Sequence, residues 1–268
     1  VGVMGVILGT IIGPALGGLL YAVGPAIPYG LACLLFLAAS LMVSLIRRDA
    51  PTPRREPISL TSLFAGIAYI RGRQAVLGAI SLDLFAVLFG GATALLPIYA
   101  RDILMIGPWG LGLLRSAPAL GALSMSVALA HFPLQHRVGR IMYAAVLCFG
   151  GATIVFALSR WFPLSLAALA LLGAADTVSV VIRSSLVQLQ TPDEMRGRVS
   201  AVNFIFVGTS NQLGEFESGV TAAWFGTVPA VLIGGIATIL VVPICLRLFP
   251  ALGRVDRLEE SSSSFADT

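Results

Sequence analysis

The chain has 268 residues, of which 57% are hydrophobic and 11% charged, and its mean hydropathy is +0.94. Soluble domains carry about 25% charged residues because their surface must be hydrated, so the composition excludes a soluble domain and indicates a membrane-spanning chain. All 17 basic residues are arginine, which excludes a Walker A loop because that loop requires a lysine. The net charge of +4 does not predict a nucleic-acid partner, because the arginines are scattered between apolar runs without interleaved aromatic residues.

Eight apolar runs are long enough to cross a bilayer core of about 30 Å as helices, which takes about 20 residues each. The runs are continuous rather than alternating, which favours helices over a β-barrel, so the predicted fold class is an all-α membrane protein. The predicted spans lie near Val1–Val23, Ile27–Ile46, Ala75–Ala100, Gly110–Phe132, Ile141–Leu158, Leu164–Val187, Val199–Ala223 and Val228–Leu248.

The arginines between these spans are distributed unequally over the two sides of the membrane. One side holds only Arg101 and Arg160. The other side holds thirteen: Arg47, Arg48, Arg54, Arg55, Arg71, Arg73, Arg137, Arg140, Arg196, Arg198, Arg247, Arg254 and Arg257. Cytoplasmic loops are enriched in basic residues, so we expect the segment from Arg47 to Arg73 and the C-terminal tail to be cytoplasmic. Trp109 and Trp161 are then expected at the outer interface.

The segments outside the spans are polar. Asp49 to Pro57 is rich in proline, and a helical repeat of apolar residues then predicts an amphipathic interfacial helix carrying Leu60, Leu63, Phe64, Ile67 and Ile70. The serine-rich stretch 259–268 is too polar to pack, so we expect it to be disordered. The three cysteines, Cys33, Cys148 and Cys245, lack the paired spacing of zinc or redox sites, which predicts small buried core residues and no metal.

The first span carries a glycine pattern in which small residues recur four apart. The pattern Gly-x-x-x-Gly-Pro-x-x-Gly-Gly is formed by Gly9, Gly13, Pro14, Gly17 and Gly18. Small residues at this spacing let two helices approach closely, and we expect Gly9, Gly13 and Gly17 to form one face that contacts the span carrying Arg115. The pattern resembles the fifth helix of drug-proton antiporters in the major facilitator superfamily, although a tight glycine seam of another origin is the alternative.

Most of the remaining chain is similar to one bacterial branch of that superfamily, the transmembrane secretion effectors, which includes the enterobactin exporter. The resemblance is carried by Gly112–Pro118, Asp176–Arg183, Thr191–Ser200 and Asn211–Gly219. The loop 136–140 is similar to the superfamily's Asp-Arg-x-Gly-Arg gating loop, but histidine stands at the aspartate position, which puts a charge lock there in doubt. The cytoplasmic-loop residues that the resemblance singles out are Arg137, Gly139, Arg140, Arg196, Gly197 and Arg198.

The resemblance implies a fold of twelve helices in two halves, of which this chain would supply helices 5–12. It assigns 1–48 to the last two helices of the N-terminal half, 49–74 to a cytoplasmic linker, 75–248 to the C-terminal six-helix half and 249–268 to a cytoplasmic tail. Because the chain opens with a hydrophobic Val1, we expect it to be a fragment lacking about 150 upstream residues, the first four helices.

The function implied is secondary active transport in a bacterial inner membrane, as a proton-coupled exporter of a small amphiphilic molecule such as a siderophore or drug. The expected partners are the lipid bilayer, the substrate, protons and the four missing helices, with no cofactor. An enzyme is not expected, because the sequence has no HExxH motif and no plausible serine-histidine-acid set. A non-transporting receptor or scaffold with a degenerate transporter fold is the alternative.

Six charged residues fall within the predicted spans. A charge at mid-membrane costs about 2.5 kcal/mol or more, so such residues face the protein interior or a wet cavity. The depths of most of them form two layers containing both signs, which predicts that Asp83 lies near Arg183 or its neighbours and that Arg115 lies within reach of Glu215 or Glu217.

The four candidates for carrying the coupling proton are Asp83, Asp176, Glu215 and Glu217, of which Glu215 and Asp83 are preferred. Structural ion pairs with the charge partners Arg115 and Arg183 are the alternative. Glu215 shares a helical stripe with Asn211 and Ser218, whereas Glu217 points about 200° away, so only one of the two glutamates can face a cavity squarely. The predicted polar residues of the cavity are Asn203, Asn211 and Gln212.

Overall fold

A computed structural model describes the backbone of residues 2–45 and 60–256, with side chains for 12–45, 64–192 and 194–256. Helices make up nearly all of these ranges, and no strand occurs within them. The helices are α1 Gly2–Val23, α2 Ala26–Ser44, α3 Leu60–Arg71, α4 Gln74–Phe89, α5 Leu96–Ile98, α6 Gly107–His131, α7 Val138–Leu158, α8 Phe162–Leu189, α9 Asp193–Phe225, α10 Thr227–Leu248 and α11 Pro250–Gly253.

Within the part of the chain that the structure describes, six helical segments are long and apolar enough to cross a membrane: α2, Gln74–Ile103, α6, α7, α8 and α10. This confirms an all-α membrane fold. Two of the eight predicted spans differ. Of α1, the part described with side chains, Ile12–Val23, is apolar but shorter than a full span. Helix α9 has 33 residues but is not among the six segments, because polar and charged side chains recur along it.

The third span is not one regular helix. After α4 ends at Phe89, the chain forms a 3₁₀ turn over Gly91–Leu95, the short α5, and a π-helical turn over Tyr99–Ile103. The break occurs where Gly90 and Gly91 are crowded by other helices. A Cβ on Gly90 would meet the ring of Phe149, and a Cβ on Gly91 would meet the hydroxyl of Ser218. Glycine therefore allows the chain to change its winding here.

Two apolar clusters show how the helices alternate in direction. One joins the beginning of α4 and α7 to the end of α8 and α10, through Leu82, Met142, Ile182 and Val242. The other joins the end of the α4 span and of α7 to the beginning of α6, α8 and α10. Successive helices from α4 to α8 therefore run up and down through the bundle, and α9 returns the chain so that α10 runs parallel to α8.

The two ends of the bundle differ in charge as the arginine distribution predicts. The loop 132–137 and the segment after α10 meet at one end, where Arg137 contacts Asp256. The opposite end carries Arg101 and two aromatic residues, Trp109 and Phe162, whose ring centroids lie 5.5 Å apart. The cytoplasmic assignment of the basic end stays a prediction. Residues 46–59 and 257–268, with Arg47, Arg48, Arg54, Arg55, Arg257 and the serine run, lie outside the described residues.

Helix α3 lies where the amphipathic helix was predicted, and part of its apolar side packs on the protein. Ile70 is buried in a cluster with Val76, Val199 and Val202, while Phe64 is exposed. The hydroxyl of Tyr69 donates a hydrogen bond to the carbonyl of Gln190. Helix α3 is thus held against α9 and the turn that precedes it.

The cysteines differ from the prediction of small buried core residues. Cys245 is buried, but Cys33 and Cys148 are exposed. Both exposed cysteines lie on outward faces of apolar helices, and helix α2, which carries Cys33, has no buried residue. Apolar side chains on such a face are suited to lipid, so burial inside the protein is not required of them.

Candidate functional site: a buried ion pair beside an acidic cavity

A buried ion pair joins α4 to α8. An Oδ2 of Asp83 lies 3.3 Å from Nη1 of Arg183, and the two side chains are only 4% and 6% exposed. The prediction that these residues meet is confirmed. A charge buried this completely is tolerated only when it is paired and hydrogen-bonded, so the pair ties the two helices together at a defined register.

Hydrogen bonds extend this pair to a third helix. Ser179, one turn before Arg183 on α8, donates its hydroxyl to Oδ1 of Asp83 at 3.0 Å. Arg183 donates from Nη1 to Oδ1 of Asn203 on α9 at 3.1 Å. Within the described residues, Nε of Arg183 is buried without a hydrogen-bond partner. The predicted polar residue Asn203 therefore belongs to the ion-pair network.

A separate acidic cavity of about 290 Å³ lies between α4, α6, α7, α8 and α9. Asp176 from α8 and Glu215 and Asn211 from α9 line it, together with Thr93 and Phe149. Asp176 precedes Arg183 by seven residues, nearly two turns, so one face of α8 carries both the cavity carboxylate and the ion-pair cation. The cavity therefore brings together three of the predicted site residues.

Close packing between α4 and α9 positions Glu215. A Cβ on Gly214 would lie 2.8 Å from the carbonyl oxygen of Leu88, closer than real Cβ contacts come. The glycine before Glu215 thus lets α9 approach the end of α4. Ser218, predicted on the same stripe as Glu215, is buried against Gly91 and does not line the cavity.

Two other predicted polar residues lie away from this cavity. Glu217 accepts a hydrogen bond at 2.8 Å from the hydroxyl of Thr221, one turn along α9. Gln212 is exposed and is not a lining residue. The geometry agrees with the prediction that only one of the two glutamates, Glu215, can face a cavity squarely.

A larger cavity of about 820 Å³ lies at the opposite end of the bundle from the basic loops, between α1, α2, the irregular part of the third span and α6. Its lining is mostly apolar or small, with Tyr21, Tyr29, Arg101 and Arg115 as its polar side chains. Arg101 is also paired with Asp102 at 3.2 Å. A site of this volume with a few polar groups on an apolar wall is suited to a small amphiphilic molecule.

The prediction that Arg115 pairs with Glu215 or Glu217 is wrong. Among the residues with described side chains, no ion pair joins Arg115 to either glutamate. Arg115 instead lines the large cavity between α6 and α1. Depth in the membrane does not determine the direction in which a side chain points around its helix.

The glycine pattern of α1 does pack against α6, the helix that carries Arg115, but through different residues from those expected. A Cβ on Gly18 would lie 2.6 Å from the carbonyl oxygen of Pro108, and one on Gly112 would lie 2.5 Å from that of Pro14. Added Cβ atoms on Gly13 and Gly17 would meet nothing within 4 Å. The surroundings of Gly9 fall outside the described side chains.

A sequence model of the Major Facilitator Superfamily matches residues 1–215, most of the chain. The chain belongs to this superfamily. Proteins named enterobactin exporter EntS, from Escherichia coli O1:K1 / APEC, Escherichia coli O45:K1 (strain S88 / ExPEC) and Shigella boydii serotype 18 (strain CDC 3083-94 / BS512), are each 28% identical over 250 residues. The match covers 92% of this chain and 59% of each of those proteins, so the chain spans less than two thirds of their length.

Membership of the superfamily agrees with the membrane-spanning helices of the chain. The residues predicted in this superfamily's cytoplasmic loops lie instead at helix starts. Arg137 precedes α7, and Gly139 and Arg140 lie in its first turn. Arg196, Gly197 and Arg198 lie in the first turns of α9. Both helices begin earlier than predicted because their first turns are polar, and apolarity was the signal used to place the spans.

Three residues that adjoin the candidate site residues were not singled out from the sequence. Ser179 completes the ion pair, Thr93 lines the acidic cavity and Thr221 satisfies Glu217. Helical spacing signals two of them, since Ser179 lies four residues before Arg183 and Thr221 four after Glu217. Thr93 has no such signal, because it lies in the 3₁₀ turn.

Proposed function

We propose that the chain is the latter part of a proton-coupled secondary transporter that exports a small amphiphilic molecule by alternating access. The unit that transports would combine this chain with helices equivalent to the preceding part of its longer relatives. It would lie in a bacterial inner membrane, with residues 49–74 and the tail 249–268 in the cytoplasm. The observation that carries the proposal is the acidic cavity, where Asp176 and Glu215 converge from two helices of a superfamily transporter.

Two carboxylates on one small cavity are suited to binding and releasing a proton. Both carboxylates line the same cavity, so a change in its access to water would change the surroundings of both groups. Alternating access would supply that change. We therefore assign proton coupling to Asp176 and Glu215. Because they come from α8 and α9, a movement of one helix relative to the other would change the distance between the two carboxylates.

In this proposal the ion pair of Asp83 and Arg183 holds α4 against α8. Asp83 is saturated by Arg183 and Ser179 and does not line either cavity. Its carboxylate would therefore contribute to the assembly of the helix bundle, and Asp176 or Glu215 would exchange the proton. The Arg183 side chain contacts Asp83 on α4 and Asn203 on α9. It thereby helps to hold α9, the helix that also carries Glu215.

The larger cavity suits the proposed substrate class. It combines apolar surface with two tyrosines and two arginines, and the relatives are named enterobactin exporters. We therefore propose a siderophore or a drug-like amphiphile as cargo.

The test is transport by the full-length parent protein reconstituted in vesicles that contain a pH-sensitive dye. Enterobactin and ethidium are the two probes, each added with and without an imposed pH gradient. We expect substrate-dependent proton movement with one of them. Asp176→Asn and Glu215→Gln should each reduce gradient-driven flux at least tenfold, because proton binding is lost. Glu217→Gln is the matched control. It makes the same change two residues from Glu215, on a carboxylate that accepts a hydrogen bond from Thr221 and does not line the acidic cavity.

Two results would contradict the proposal. If Asp176→Asn and Glu215→Gln both keep the flux and its pH dependence, these carboxylates do not carry the proton. If the parent moves neither probe nor protons while it binds one of the probes, a receptor or scaffold function replaces transport.

A further inference from the structure

A carboxylate from the C-terminal segment lies beside the loop between α6 and α7. The loop has His136 where the similar superfamily loop has aspartate. Asp256 lies beside it: Oδ1 accepts the backbone N–H of Arg137 at 3.0 Å, and Oδ2 lies 3.5 Å from Nδ1 of His136. The residue that approaches this loop is 120 positions away in the chain.

The backbone of the same segment also bonds to the start of α7. The N–H of Val138 donates to the carbonyl of Asp256 at 3.2 Å, and the N–H of Gly139 donates to the carbonyl of Val255 at 3.1 Å. The first N–H groups of a helix have no partner within the helix. Three consecutive ones, from Arg137 to Gly139, are therefore satisfied by residues 255 and 256.

Apolar packing and a glycine hold this segment in place. Leu252 is fully buried in the cluster that contains Val138 and Met142, and the hydroxyl of Tyr143 donates to the carbonyl of Phe249 at 3.5 Å. A Cβ on Gly139 would collide with the carbonyl oxygen of Leu252. Glycine at this position of the loop pattern is therefore required here by the close approach of the segment.

Arg137 adopts a conformation that needs such support. Its φ of 56° and ψ of 35° are in the left-handed region, which side chains other than glycine rarely adopt. The bond from its own N–H to Asp256 acts directly on this residue. Its side chain is exposed, as is that of Arg140 one turn further.

We propose that Asp256 substitutes for the missing loop aspartate and is a positioning residue. By docking residues 250–256 on the start of α7, it holds Arg137 in its left-handed conformation and sets the direction of the Arg137 and Arg140 side chains at this end of the bundle. The effect on transport rests on the proposed function, whereas the docking itself does not.

The test uses four variants of the full-length parent in detergent: Asp256→Ala, His136→Asp, the double variant, and Asp102→Ala as a control. Asp102 is also an exposed carboxylate in an ion pair, but it lies at the other end of the bundle. Amide hydrogen exchange of the peptide covering 136–141 is measured by mass spectrometry, which reports opening of the bonds at residues 137–139.

Asp256→Ala should make this peptide exchange about fivefold faster, the change expected when one capping carboxylate is lost. His136→Asp in the Asp256→Ala background should restore slow exchange, because a carboxylate at 136 can accept the N–H groups of Val138 and Gly139 when residues 255 and 256 are no longer held against them. His136→Asp alone should raise exchange, since two carboxylates then face each other. Flux in vesicles should follow the same order.

Exchange in Asp256→Ala that matches the Asp102→Ala control would overturn the proposal, as would a double variant no better than Asp256→Ala. A rescue of exchange without a parallel rescue of flux would overturn the positioning role. Failure of the proposed transport function has a different signature, because the unsubstituted parent would then show no flux while the exchange pattern among the variants persisted.

Discussion

Removing one partner of the buried ion pair should destabilise the protein strongly. In Asp83→Ala, the guanidinium of Arg183 would remain in a site where its side chain is 6% exposed, with Asn203 as its remaining described acceptor. Its Nε already lacks a partner within the described residues. Breaking a buried pair in this way costs about 3–5 kcal/mol.

This cost can be converted into a melting temperature. One kcal/mol shifts the melting temperature of a domain of about 150–250 residues by about 2–4 °C, and the predicted six-helix half is of that size. We therefore expect Asp83→Ala to lower the apparent melting temperature of the purified protein in detergent by about 6–20 °C, followed by intrinsic tryptophan fluorescence. Arg183→Met should act in the same direction, because it leaves the carboxylate of Asp83 unpaired.

The double variant Asp83→Leu/Arg183→Met distinguishes a pair from two independent contributions. A buried ion pair can be replaced by apolar residues of similar volume at little cost, so this variant should recover most of the lost stability. The control Asp102→Ala breaks an exposed pair with Arg101, which is worth about 0–1 kcal/mol. A melting temperature for Asp83→Ala within about 2 °C of the unsubstituted protein would refute the reasoning.

Three further predictions follow from the packing and the charge distribution. Gly18→Ala should cost about 1–3 kcal/mol because its Cβ would crowd Pro108, whereas Gly13→Ala should be tolerated; equal melting temperatures would contradict this. A cysteine replacing Arg254 should react with an impermeant maleimide in inside-out vesicles and not in intact cells, and the reverse pattern would refute the topology. Arg115→Gln should weaken binding of an anionic amphiphile about tenfold while leaving the melting temperature unchanged, measured by equilibrium dialysis.

Most of the fold was predictable because lipid imposes a simple rule on sequence. Long apolar runs must be helices, and each predicted span is helical over most of its described length, apart from the break at Gly90 and the last residue of two spans. The residues at which the helices begin were less predictable. Helix α9 begins at Asp193, six residues before the predicted Val199, because residues at the membrane surface can be helical without being apolar. The break at Gly90 was not predicted, since a glycine in an apolar run is equally compatible with an uninterrupted helix.

The candidate site was predictable where helical periodicity controls it. The stripe with Asn211 and Glu215, and the face of α8 with Asp176 and Arg183, follow from spacing alone, and the pairing of Asp83 with Arg183 follows from depth and sign. The predicted pairing of Arg115 with a glutamate was wrong because depth in the membrane does not determine how each helix is rotated about its own axis. The approach of Asp256 to the start of α7 depends on contacts distant in sequence, which no local pattern specifies.

The irregular winding of the third span has a consequence for the directions of its side chains. A 3₁₀ turn advances about 120° per residue, against about 100° in an α-helix, whereas a π-helical turn advances less than 100°. The excess rotation over Gly91–Leu95 is therefore largely cancelled over Tyr99–Ile103. Leu96, between the two turns, is therefore rotated relative to the helix before the break, and it lies in the apolar cluster with Leu95 and Tyr99. Arg101, inside the π-helical turn, lies on the wall of the large cavity. The span therefore turns one face to the ion pair before the break and a different face to the apolar cluster after it.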